Sequence, residues 1–355
     1  MTRRSRKNQR RIIAALLTGV FVMQPTALTV LASEIVSGGL TFMPTGNTYN
    51  ISPESIDNKV GFREYSKFNL TEGDIANLIY SGNMETFVNM MHNDSFTING
   101  VVNTMKDSNF YNGKAVFISP KGVVVGASGV LNIGSLGIYQ PDPANNEFYN
   151  NLRSNKTAVN FNSFETAAKA GAGQFTGTGG NTDVIKIDGK IMAADEVAII
   201  GPNINITNGA GIMAGIKESE LSTYIGEEKA LELFNELVNT NLAVGNKFES
   251  TGNGQIIITS AGNGIAGNNN TGTVINGTVR NFAKGENAGT KITNLIGAQN
   301  GINIGSTGRV VNTNGDVLIH NQEGNLTIAG DLTNYGTNLR IVNNPTDNKI
   351  GRAHV

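Results

Sequence analysis

Cysteine is absent from the 355 residues, so the chain has neither a disulfide framework nor a thiolate metal site. A chain of this length can build a core without covalent staples. The same lack suits a polypeptide that stays unfolded while it crosses a narrow pore. Histidine is scarce, at His92, His320 and His354 only, and no two stand at metal-ligand spacing. The calcium-binding G-G-x-G-x-D repeat is missing, and neither Asp183 nor Asp188 lies in an EF-type loop. No metal and no cofactor is expected. Basic charge is also short: 27 Lys+Arg stand against 28 Asp+Glu, and six of the cations (Arg3, Arg4, Arg6, Lys7, Arg10, Arg11) cluster at the start. Without that cluster 21 cations face 28 acids, a net charge of −7. Such a balance argues against nucleic acid, whose binding needs a basic stripe to displace phosphate counterions. After Ala32 no apolar run is long enough to span a bilayer.

What is present begins with a secretory leader. The basic cluster is followed by an apolar run, Ile12 to Val22, which Gln24-Pro25 interrupts. Val30-Leu31-Ala32 then offers a small residue at −1, so cleavage is expected after Ala32, with Ser33 as the near alternative. Ile12 to Ala32 is 21 residues and could also serve as an uncleaved anchor, a reading weakened by Gln24, Pro25 and the threonines. Arg10-Arg11 hints at twin-arginine export, but that route carries folded cargo, and a chain expected to cross unfolded suits the general secretory route. At the other end, Ile350-Gly351-Arg352-Ala353-His354-Val355 spells one reading frame of a common sequencing-library adapter. Residues 350–355 are therefore read as an artefact, with the natural chain expected to continue.

Between these ends the texture is rich in Gly and Asn, low in charge, and built of short β-branched runs. Examples are Ala115–Ile118, Val123–Val125, Val184–Ile187, Val197–Ile200 and Gln255–Thr259. Each is bounded by Gly, Asn, Asp or Pro, the pattern of strands and turns rather than of low-complexity disorder. Gly308-Arg309-Val310-Val311-Asn312 recurs as Gly330-Asp331-Leu332-Thr333-Asn334, and Val317–Asn321 recurs as Leu339–Asn343, both at an offset of 22. A unit of that length with short strands and Gly/Asn corners is one coil of a parallel β-helix. Asn312 is expected over Asn334 and Asn321 over Asn343, bonded along the stack. Helices are expected at Gly226–Asn239, from apolar spacing at 230, 231, 234, 237 and 238, and more weakly at Ser163–Lys169. Gly262-Asn263-Gly264-Ile265-Ala266-Gly267 fits G-x-G-x-x-G, but the Asn/Thr/Gly stretch after it opens no helix toward a phosphate, so it is read as a turn.

Two segments carry a family resemblance. Phe62 to Leu70, followed by Gly73 to Leu78, resembles the aromatic opening of two-partner-secretion domains. Ile98-Asn99-Gly100-Val101, Ala115 to Gly126 and Gly129 to Leu136 together resemble the core of the filamentous haemagglutinin family, in order and in spacing. The nearest subgroup is the leukotoxin-like filamentous adhesins. The resemblance covers roughly residues 34 to 205. One departure is the family's Asn-Pro-Asn-Gly turn, which is Ser119-Pro120-Lys121-Gly122 here; these residues still suit a type I turn.

The resemblance implies an all-β chain: a right-handed, single-stranded parallel β-helix, capped at its N-terminus, with minor helical excursions. The segments expected are a leader at 1–32, a two-partner-secretion domain at 33–240 and the start of a repeat stalk at 241–349. It implies a partner, an outer-membrane barrel whose periplasmic domains bind the extended chain. The barrel then threads the chain outward to fold at the surface of a double-membraned bacterium. Residues implied to matter are Phe68, Asn69, Leu70, Asn99, Gly100, Ser119, Pro120, Gly122, Asn132 and Gly134. No catalytic residue is expected; adhesion, cytolysis or toxin delivery toward a host or neighbouring cell would belong to a further C-terminal region. Two alternatives remain: an autotransporter passenger, with its barrel in the same gene, and a β-helix enzyme acting on polysaccharides. The enzyme would need Asp with Lys or Arg recurring from coil to coil, and no such pair recurs at 22 residues.

Overall fold

The β-branched runs form strands, and their partners lie one coil away instead of next along the chain. Lys114–Ile118 pairs in parallel with Thr86–Met91 on one side and with Ser135–Tyr139 on the other. The computed structural model describes residues 32–171, 184–216, 250–261, 272–285 and 287–344. All but Ala32 belong to a compact unit that begins at Ser33. Within it the strands make three ten-stranded sheets. Gly122–Val125, Val130–Ile133 and Ser135–Tyr139 are one coil, one strand in each of sheets 1, 2 and 3, after which the chain returns to sheet 1. The molecule is a parallel β-helix.

Side chains alternate along each strand, so every second residue points into the coil. In sheet 1 the parallel register stacks Leu70, Ile98, Val125, Ile187, Ile206 and Ile275 one above another. Each has no exposed surface, and full burial of such a side chain contributes about 1.5–3 kcal/mol. β-Branched residues suit this column because their stiff χ1 fits the pleat and little rotamer freedom is lost on stacking. The 22-residue repeat aligns as expected: Arg309 pairs with Asp331, Asn312 with Asn334, Val317 with Leu339 and Asn321 with Asn343. The Asn312 amide donates to Asn334 Oδ1 at 3.0 Å, and the Asn321 amide to Asn343 Oδ1 at 2.9 Å. In sheet 3 Val197–Gly201 pairs directly with Gln255–Ser260.

Antiparallel strands close the N-terminal end. Glu34–Ser37 lies antiparallel to Lys67–Leu70 with Ile35 opposite Phe68, and Leu40–Thr41 folds back on it. Ser55–Asp57 likewise turns back along Val60–Tyr65. This is the N-terminal cap, and it ends the parallel ladders of sheets 1 and 3, whose free edges would otherwise be exposed.

The helical excursions differ from expectation in extent. Two helices, α1 (Glu147–Ser154) and α2 (Ala158–Lys169), lie between Ser135–Tyr139 and Val184–Ile187. The weaker sequence candidate at Ser163–Lys169 is only the second half of α2. Its true start is set by Thr157, whose side chain accepts the Asn160 N–H at 3.2 Å. The short, Asn-rich α1 gives too few turns for periodicity to reveal; it is started by Asn146, which accepts the Tyr149 N–H at 2.9 Å. Tyr149, Leu152, Phe161 and Phe164 pack on Val88, Met90, Val116 and Ile118 of the outer face of sheet 3. That explains why strands such as Val197–Gly201 are apolar on both faces. The expected helix at 226–239, the glycine motif at 262–267 and residues 350–355 lie outside the described residues.

Phe117 stands in the interior against Phe96 at 5.2 Å and Phe68 at 6.4 Å between ring centroids. Phe117→Ala should lower unfolding free energy by about 3–5 kcal/mol. The exposed Lys291→Ala should change it by no more than about 0.5 kcal/mol. Urea denaturation measures both.

Candidate functional site

The residues singled out by resemblance do not gather into one cleft. They occupy turns and interior positions of successive coils. Phe68 and Leu70 point inward and are buried, and Phe68 meets Tyr65 at 5.2 Å and Phe96 at 5.4 Å. Asn69 between them faces outward and is half-buried, with its backbone paired to Glu34 on one side and Thr97 on the other.

Asn99 and Gly100 form the corner between sheets 1 and 2. Asn99 N–H donates to the Leu70 carbonyl at 2.7 Å, and Gly126 N–H repeats the bond one coil on, to Ile98 at 2.9 Å. A Cβ at Gly100 would lie 2.3 Å from the Asp74 carbonyl oxygen and 2.6 Å from that of Thr71, so only glycine lets the corners stack this closely.

The Ser119–Gly122 segment is a hydrogen-bonded turn, with Gly122 N–H donating to the Ser119 carbonyl at 3.1 Å. The Ser119 hydroxyl accepts from Lys121 N–H at 3.0 Å and donates to the Asp94 carbonyl at 2.7 Å. Serine thus fills the turn-holding role of the asparagine usual in the resembled motif. Pro120 is buried, and the Gln140 amide donates to its carbonyl at 3.3 Å. Gly122 has φ +92°, and a Cβ there would stand 2.2 Å from the Val184 carbonyl oxygen.

Asn132 is fully buried on the outer face of sheet 2, and its amide donates to Asn103 at 3.2 Å. Asn103 donates to Asn77 at 3.0 Å, and Asn77 to Asn50 at 3.1 Å, so four asparagines form a ladder over the first coils. Gly134 packs on the Asn112 backbone, where a Cβ would come within 2.2 Å. Of the ten residues only Asn69 and Asn99 are even half-exposed. The folded coil offers a partner almost none of the side chains that the resemblance marks.

Two charged clusters that the sequence reading missed bind the helical pair to the β-helix. Lys114 contacts the Glu165 carboxylate and lies 3.1 Å from that of Glu196, while Lys169 reaches Glu196 at 2.6 Å. The Tyr139 hydroxyl donates to Glu165 at 2.7 Å. Burial pushes the Lys114 ammonium down, but Glu165 and Glu196 outweigh it and hold its pKa above the usual lysine value. Burial likewise raises Glu196, yet Lys114 and Lys169 bring it below the ordinary carboxylate value. The visible hint was the Glu165/Lys169 pair, four apart on one helix face.

The second cluster centres on His92. Its Nδ1 is 2.6 Å from the Tyr149 hydroxyl of α1, and its Nε2 is 2.5 Å from Glu64, which Lys156 also contacts at 2.8 Å. The Asp57 carboxylate accepts the Ala158 N–H at 2.7 Å, at the first residue of α2. With the imidazole neutral, Nδ1 can accept from the Tyr149 hydroxyl, while Nε2 stays in close contact with the Glu64 carboxylate. Among the described residues no three His, Asp or Glu gather as a metal site. A groove of about 690 Å³ on sheet 3, flanked by Lys291, Asp316 and Asn338, has its carboxylate engaged by the Asn338 amide at 2.9 Å.

No family model matches the chain, and no curated protein is found similar to it.

Burial holds His92 below its ordinary pKa of 6.5, against the pull of Glu64. The unfolded chain therefore takes up this proton first, and the stability involved is present above pH 6.5 and lost as pH falls toward the folded-state value. The melting temperature should decline below pH 6.5, and His92→Gln should remove the part of that decline lying above the carboxylate range. A decline unchanged in His92→Gln would contradict the assignment.

Proposed function

We propose that this chain is the N-terminal secretion module of a larger exported surface protein of the two-partner type. Its role is to be recognised in the periplasm by a dedicated outer-membrane barrel and then to start β-helix folding outside the cell. The observation that carries the reading is the coincidence of motif and coil. The segments of the resemblance, from Phe62 to Leu136, make consecutive strands and corners of the first coils next to an N-terminal cap. A capped first coil is what a chain needs if its leading end must fold alone and template the rest.

Burial of the motif sets the order of events in this reading. Since Phe68, Leu70, Ser119, Pro120 and Asn132 are enclosed once folded, the transporter must read them on the extended chain. No nucleotide hydrolysis is available outside the outer membrane, so burial of each emerging coil supplies the bias for outward movement. The leader provides the earlier step, transfer into the periplasm. Adhesive or toxic activity, in this reading, belongs to a region C-terminal to these residues.

Deletion of Ser119–Gly122 tests the proposal in the bacterium that encodes the chain, with its partner barrel present. The deleted protein should accumulate in the periplasm while the unaltered protein reaches the medium or cell surface. Unchanged secretion would remove this turn from the address, and export that persists without any partner barrel would overturn the two-partner reading.

A further inference from the structure

The start of the compact unit carries more bonding than a cleavage product requires. Ser33 is the residue that leader removal after Ala32 would make the N-terminus. Its hydroxyl donates to Asp74 Oδ2 at 2.5 Å, accepts the Thr71 N–H at 2.7 Å, and lies 3.0 Å from the Thr71 hydroxyl. The Thr71 hydroxyl in turn donates to the same Asp74 oxygen at 3.2 Å. These contacts fasten the entry to the cap strand Glu34–Ser37 onto the turn that follows Lys67–Leu70. The loop from Thr71 to Asp74 is also the one on which the Gly100 corner stacks.

We propose that leader cleavage at Ala32–Ser33 creates a charged clasp, in which the new α-ammonium of Ser33 pairs with the Asp74 carboxylate and locks the cap. The inference rests on the cleavage site read from the leader. Hydrolysis adds water across one amide: the hydroxyl goes to the Ala32 carbonyl carbon, and the proton leaves Ser33 as a primary amine, which takes a further proton from solvent. Serine's own nitrogen lies no more than about 3.7 Å from its hydroxyl, so the amine stands within about 6 Å of Asp74 Oδ2. At that range an opposite charge favours the protonated amine.

The other ionisable groups leave the pairing open. Glu34 is engaged by Lys67 at 2.6 Å, and Glu72 in the same turn is exposed. The Tyr49 phenol has its pKa raised by burial and by Asp74, so it stays neutral beside the pair. An intact leader places an uncharged amide at the same nitrogen. The cap would then hold the serine hydroxyl without the charge.

The test compares four proteins beginning at Ser33: the authentic chain and Asp74→Asn, each with its α-amine free and acetylated. The pKa of the α-amine is followed by the pH dependence of its acylation. It should be higher in the authentic chain than in Asp74→Asn by about one unit, the scale of a close opposite charge. Acetylation should lower the melting temperature at pH 6.5 by about 1–3 °C, and should do so much less in the Asp74→Asn background. An amine pKa indifferent to Asp74, or equal effects of acetylation in both backgrounds, would overturn the clasp. Sequencing of the exported protein judges the cleavage site separately, and a start other than Ser33 would overturn its physiological role even where the titration shows the pair.

Discussion

The register of each coil on the one before it is the constraint on which the molecule depends. Along the parallel ladder a strand of this β-helix pairs with strands of the coils above and below. Its backbone groups are satisfied chiefly there, and its inward side chain stacks on theirs. The column from Leu70 to Ile275 and the corner bonds from Asn99 and Gly126 repeat that condition along the axis. A slip by one residue would turn every isoleucine in the column outward. The glycine at 100 and the stacked asparagines at 312/334 and 321/343 make such a slip costly, through close backbone approach and through amide bonds that only aligned coils can form.

Because register propagates from a neighbour, the first coil needs a different solution. The antiparallel strands Glu34–Ser37 and Ser55–Asp57 supply it, and the asparagine ladder from Asn50 to Asn132 strengthens the coils that follow. The helical pair then shields an outer face of sheet 3 that would otherwise be an apolar surface, fastened by the clusters around Lys114 and His92. These features concentrate where the proposed secretion module must fold without a preceding template. In that reading the address and the folding nucleus are the same residues, read once as an extended chain and afterwards enclosed.

Much of this architecture was legible in the residues. Short β-branched runs between Gly and Asn gave the strands, and the 22-residue repeat gave the register of the last coils to the residue. Other features were hidden for identifiable reasons. The ladder Asn50–Asn77–Asn103–Asn132 has separations of 27, 26 and 29 residues, so no fixed period exposes it. The insertion holding α1 and α2 separates Val130 from its partner Lys190, which hides that coil from a repeat search. His92 read as an isolated polar residue because its partners Glu64 and Tyr149 lie 28 residues before and 57 after it. Ser119, Gly122 and Asn132 could be marked by resemblance, but their burial is a tertiary outcome that no local pattern states.

The central proposal, that the motif segments act as an address read before they fold, can be measured with the soluble periplasmic domains of the proposed partner barrel. Ile199 is fully buried in sheet 3 and lies outside the motif segments, so Ile199→Asp should keep the chain unfolded by placing a charge in the core while leaving every motif residue intact. Calorimetric titration should show binding of this unfolded variant and little or none of the folded, unaltered chain. Equal or tighter binding by the folded chain would contradict the account.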